Sequence, residues 1–148
     1  MLTKILIIAF AVVGASANLN FQNCGSQSNI QALRIRGCDS LPCTFVRGGS
    51  YYGEIDVVKA VATPVLPTEL FVVPGFPFPA IRIFEGDLCG EIIDGSCPTV
   101  AGQFHRIRIY IDIPATGLPP VNSINVRIVV RDGHGQTQMC IQFGVSVD

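Results

Sequence analysis

Six cysteines, Cys24, Cys38, Cys43, Cys89, Cys97 and Cys140, in a chain of 148 residues constrain the fold more than any other feature. An even number in a small chain reads as a disulfide framework made in an oxidising compartment. Zinc is the competing reading. The intervals hold no C-x-x-C pair, and neither His105 nor His134 stands near a cysteine in sequence, so no metal site is expected. Spacing alone leaves the pairing open. Joining Cys38 to Cys43 and Cys89 to Cys97 would close two small loops and leave Cys24 to meet Cys140, tying the first strand to the last.

The compartment is readable from the other end of the argument. Residues 1–17 read as a secretory signal: Lys4 gives the positive start, Ile5 to Val13 the apolar stretch, and Ala15-Ser16-Ala17 the small-residue cleavage site. That stretch is too short for a bilayer, which needs about 20 apolar residues. The protein is therefore expected to be secreted, extracellular, and to begin at Asn18. There is no N-x-[ST] sequon, so a glycan-directed lysosomal route has no handle. Charged residues make up 14% of the chain against roughly 25% in an average soluble domain, and ten basic side chains balance eleven acidic ones. No field exists to gather nucleic acid.

Alternation then supplies strands. From Gln103 to Ile113, His105, Ile107, Ile109, Ile111 and Ile113 share one face while Arg106, Arg108, Tyr110 and Asp112 share the other. Ile124, Val126, Ile128 and Val130 repeat the pattern, and after the turn Asp132-Gly133-His134-Gly135 so do Met139, Ile141, Phe143, Val145 and Val147. Ile30 to Arg36, Tyr51 to Ala62 and Leu66 to Val73 alternate more weakly, broken by Gly48-Gly49, Pro64 and the run from Pro74 to Pro79. No segment carries a helical period. Seven or so strands at this spacing predict an all-β chain, an antiparallel β-sandwich of two sheets, although without the Trp of an ordinary immunoglobulin domain.

No catalytic motif is present: no G-x-S-x-G, H-E-x-x-H, Walker loop or G-x-G-x-x-G. Asp56, Asp87, Asp94 and Asp112 are scattered, His105 reads as a half-buried residue at a sheet edge, and His134 as a solvated turn residue, so no enzyme is expected. Binding is better supported. The segment Leu70-Phe71-Val72-Val73-Pro74-Gly75-Phe76-Pro77-Phe78-Pro79 is held extended by its prolines, which exclude it from a central strand, yet it is too apolar for an ordinary solvated loop. Such a segment lines the mouth of an apolar pocket or packs over the core.

Phe21-Gln22-Asn23-Cys24-Gly25, Cys38 and Cys43 followed by Arg47-Gly48-Gly49-Ser50-Tyr51, the Phe-Pro segment, Cys89, Cys97-Pro98, Ile113-Pro114 and Cys140 occur in the order and spacing of one family. The chain from residue 18 to 148 resembles the ML (lipid-recognition) domain, and within it the Niemann-Pick type C sterol-transfer branch that includes the mite group-two allergens. The resemblance implies an immunoglobulin-like sandwich bridged Cys24–Cys140, Cys38–Cys43 and Cys89–Cys97, with a lipid cavity between the sheets and no cofactor beyond that ligand. It implies that Phe78 stands at the cavity mouth, with Ala115 and the Leu118-Pro119 turn on the opposite lip, and Ile128, Ile141 and Phe143 inside. Alternation adds Ile109, Ile111 and Val126 to the interior, and Phe71, Val73 and Phe76 join the mouth segment. Both lips are expected to yield when ligand enters.

Where sterol-transfer members carry a tyrosine near Leu118-Pro119 and tryptophans at positions resembling Ile128 and Ile141, this chain is aliphatic. The expected ligand is therefore a sterol, a fatty acid or a glycolipid, carried by a monomer to a receptor or membrane acceptor. A protein recognising microbial lipid for a receptor is the alternative, with Arg82, Arg106 and Arg108 as a charged patch around the mouth. A structural or adhesion sandwich without ligand is the second alternative.

Overall fold

A computed structural model describes residues 18–148; the expected signal sequence lies outside the described residues. Ten strands form two sheets, joined by one 3-10 turn. In chain order they are β1 (Gln22–Asn23), β2 (Asn29–Ile35), β3 (Cys43–Phe45), β4 (Ser50–Val58), β5 (Pro67–Val73), β6 (Ile81–Asp87), the 3-10 turn (Leu88–Glu91), β7 (Ile92–Asp94), β8 (Phe104–Asp112), β9 (Ser123–Arg131) and β10 (Thr137–Val147). One sheet runs β1-β10-β9-β5-β6, with β3 added in parallel to the end of β10; the other runs β2-β4-β8-β7. All other pairings are antiparallel.

The strongly alternating segments became the long central strands β8, β9 and β10, as expected. Four strands were not legible. β1, β3 and β7 are two or three residues long, too short to show a period. β6 has a register shift opposite Leu70/Phe71, which breaks its alternation after Ile83. One expectation is corrected here. His105 is buried on an interior strand, because β7 covers what the sequence alone showed as the edge of β8. Its Nδ1 sits 3.2 Å from the Gln103 carbonyl.

The three bridges are Cys24–Cys140, Cys38–Cys43 and Cys89–Cys97. The long one lies within a single sheet, holding two-residue β1 to β10 beside the pair Asn23↔Ile141. The chain then leaves β1 through an Asx turn: Asn23 Oδ1 accepts from the amides of Gly25 and Ser26, and Gly25 takes φ +123°, a region open to glycine. That turn explains why Asn-Cys-Gly stands together at the start of the fold.

Register fixes two poles. β4 begins at Ser50 opposite Asp112, and β5 ends at Val73 opposite Asn125. The β5–β6 hairpin tip and the β8–β9 loop therefore share one pole. At the other lie the end of β4, the start of β5 and the β9–β10 turn.

Candidate functional site

The inner faces of the two sheets make one apolar interior. Ile55, Val57, Ile107, Ile109 and Ile111 face it from one sheet, and Leu70, Val72, Val126, Ile128, Ile141 and Phe143 from the other, all buried in a single cluster. Most of these side chains are β-branched, stiff at χ1 and at home on a pleated surface. Ile109, Ile111, Val126, Ile128, Ile141 and Phe143 thus lie where alternation puts them. Phe71 and Val73 do not join them: Leu70 and Val72 take the inward positions of β5, so Phe71 and Val73 are half-buried on its outer face.

The hairpin tip from Gly75 to Ala80 is exposed throughout. Phe76 is 101% exposed and Phe78 40%, with one internal turn bond from Phe78 N–H to the Gly75 carbonyl at 2.9 Å. Across the pole, Ala115 is exposed, while Leu118 and Pro119 are half-buried and Leu118 packs against the interior. This second lip is hydrogen-bonded to the turn between β3 and β4. Arg47 donates to the carbonyls of Pro119 at 3.1 Å and Val121 at 3.2 Å, and Gly48 N–H donates to Ile113 O at 2.9 Å. Gly48 has φ +79°, and its missing Cβ leaves room for the Ala115 methyl, which would lie 3.3 Å from it. Tyr51 completes the clamp by stacking on Phe45, ring centroids 3.9 Å apart, and accepting the Val46 amide at 2.7 Å. The Arg-Gly-Gly-Ser-Tyr run is therefore a brace for the β8–β9 lip. Among the described residues the hairpin tip makes no hydrogen bond to the rest of the pole, whereas the β8–β9 lip makes several.

The flank between the sheets is unevenly closed. The 3-10 turn and β7 shut it toward the pole away from the tip, since Ile92 pairs Ile107 and Asp94 pairs Arg106. From Arg108 to Asp112 the outer edge of β8 has no strand partner among the described residues. The unpaired edge runs toward the hairpin tip.

The far pole is sealed by polar bonds. Thr63 N–H donates to Thr99 Oγ1 at 3.0 Å, Thr99 N–H to Thr63 O at 2.8 Å, and Gly133 N–H to Thr63 Oγ1 at 2.9 Å. Beneath this seal lies Lys59, 2% exposed, its Nζ without a hydrogen-bond partner. Lys59 continues the β4–β8 ladder, its N–H bonded to Gln103 O and its carbonyl to Gly102 N–H, so it follows Ile55 and Val57 onto the inner face. Burial pulls its pKa down from 10.5 to about 8. Sequence reasoning missed it, although the alternation Ile55, Val57, Lys59 carried the signal, and Lys59 is the sole lysine after Lys4.

Two clusters of charged side chains pair on the outer faces. Arg34 and Arg106 both bind Asp56, at 2.7 and 2.8 Å. Burial opposes the Asp56 charge, but the hydrogen bonds from these two arginines outweigh it and hold the carboxyl at about 2. On the other sheet Glu69 binds Arg131 and Arg82. Arg82 thus lies on the outside of one sheet, and Arg106 and Arg108 on the outside of the other. They do not make one patch around the mouth. A surface concavity of about 430 Å³ is lined by Val65, Pro67, Thr68, Glu69, Glu85, Gly86, Asp87 and Arg131.

The family model of the ML domain matches residues 18–147. A Niemann-Pick type C2 protein from the Japanese carpenter ant superposes with a TM-score of 0.71 at 16% identity, over 87% of this chain and 99% of that one. Chicken MD-1, solved in complex with lipid IVa, superposes with a TM-score of 0.58 at 15% identity, over 84% of this chain and 85% of that one. No curated protein matches the chain by sequence.

Proposed function

This chain belongs to the ML domain family, and from that premise we propose that it is a secreted, non-enzymatic carrier that holds one hydrophobic molecule between its two sheets. The observation that carries the reading is the solvated aromatic tip beside the unpaired edge of β8. A fully buried Phe is worth about 1.5–3 kcal/mol relative to an exposed one, so Phe76 and Phe78 stand in water at a cost. The tip is anchored only at its base, and it borders an interior of aliphatic side chains. Ligand enters by displacing the tip away from the braced β8–β9 lip. It then gains roughly 25 cal/mol per Å² of apolar surface removed from water. The chicken neighbour was solved with a lipid, which fits this use of the fold. Expected interior contacts are Ile109, Ile111, Val126, Ile128, Ile141 and Phe143, with Phe76, Phe78, Ala115, Leu118 and Pro119 at the mouth.

Two measurements test this. Native mass spectrometry of the secreted protein should show a stoichiometric adduct, and organic extraction should release it; a clean mass that resists loading with sterols and fatty acids would return the chain to a filled, structural sandwich. Phe78→Asp should fold normally, the residue being exposed, yet take up a fluorescent lipid about tenfold more slowly, because a carboxylate must then cross an apolar gap. Wild-type uptake by that variant would move the entrance elsewhere.

A further inference from the structure

Lys59 has no task in a purely apolar carrier. Transfer of an ammonium from water without a compensating partner is strongly unfavourable, and buried polar groups in native proteins nearly all find one. Here Nζ has none. Its polar neighbours at this pole are engaged elsewhere. Asp132 Oδ1 accepts from the amides of His134 and Gln136, and its Oδ2 from the Gln138 side chain. Gln138 also reaches Gln27 and Ser28, while His105 holds the Gln103 carbonyl with Nδ1. The choice of residue is pointed as well, since every other basic side chain from residue 18 onward, the two histidines aside, is arginine, and those in ion pairs lie on the outer faces.

We infer that the ligand is an amphiphile with a terminal carboxylate, seated acid-first with its head on Lys59 and its tail running between the sheets toward Phe76 and Phe78. This inference rests on the carrier reading and specifies the class of molecule carried. An opposite charge is what a desolvated ammonium requires; a sterol hydroxyl accepts a hydrogen bond but leaves the charge uncompensated. Reciprocal bonds between Thr63 and Thr99 tie two loops together at this same pole. Length agrees. At about 3.3 Å per residue along β4, Lys59 and Tyr51 stand roughly 26 Å apart. A long acyl tail, which fills half of a hydrocarbon core about 30 Å thick, needs about 15 Å of that. The lowered lysine pKa, about 8, still leaves the ammonium charged at pH 6.5, where a fatty acid free in water is ionised.

The test is titration calorimetry of the delipidated protein at pH 6.5 with palmitic acid and with methyl palmitate, for wild type and Lys59→Met. Charge-assisted pairing predicts that wild type binds the acid about thirtyfold tighter than the ester. Lys59→Met should lose the preference, binding acid and ester with about equal affinity. Palmitate should also shift the single lysine ε-carbon resonance of the mature chain, whereas methyl palmitate should leave its titration midpoint in place. Equal affinity for acid and ester in wild type, or a preference that survives in Lys59→Met, would overturn the anchor while leaving the carrier reading intact. Binding of neither, with sterols also refused, would remove the carrier reading itself.

Discussion

Replacing Cys24 and Cys140 together by serine is expected to lower stability by about 4–5 kcal/mol, measured by urea denaturation without reductant, with both short bridges intact. The residues are 116 apart in sequence, so the bridge closes almost the whole described chain and removes the most entropy from its unfolded state. Native geometry adds to the effect. β1 is only two residues long and holds β10 through two register pairs. Without the bridge it should fray, exposing the β10 edge to other chains. Cys38–Cys43 and Cys89–Cys97 span 5 and 8 residues, and each should be worth less than the roughly 3 kcal/mol of a 15-residue loop. A loss under about 1 kcal/mol for Cys24–Cys140 would mean that the unfolded chain already keeps its ends together, and that packing alone holds β1.

Spacing left the pairing of that bridge open and the family resemblance implied it, whereas β8, β9 and β10 were legible from their alternation. What alternation could not show was anything requiring a neighbour in space. The half-buried edge assigned to His105 vanished because three-residue β7 covers it. The two lips of the mouth looked equivalent in sequence, both rich in proline and apolar residues. Only the backbone carbonyls that Arg47 reaches show one to be braced and the other loose. Phe71 and Val73 were placed at the mouth because they belong to an apolar run, whereas the pleat sends them outward from β5. Lys59 was lost for a related reason: a charge at the weak end of a strand reads as solvated unless the strand is known to continue one residue further and the pole above it to be closed.

That lysine gives the second large effect. Lys59→Met is expected to stabilise the ligand-free protein by about 2–3 kcal/mol at pH 7. The folded pKa of about 8 lies some 2.5 below the ordinary 10.5, and each unit corresponds to about 1.36 kcal/mol; the loss of one side-chain atom offsets a little of this. The sign follows from linkage. Below about pH 8 the lysine is charged in both states and the folded protein bears the full penalty. Between about pH 8 and 10.5 the folded state has released a proton that the unfolded state keeps, so wild-type stability rises relative to the variant and the gap closes. All other titratable groups are common to both proteins and cancel in the difference. A gap that stays constant from pH 7 to pH 11 would show that Lys59 keeps its charge solvated in the folded state. Saturating palmitate should close most of that gap at pH 7, because a bound carboxylate supplies to the wild-type ammonium the partner that methionine cannot use, and a thirtyfold affinity advantage is worth about 2 kcal/mol. The same residue would then weaken the empty carrier and select its cargo.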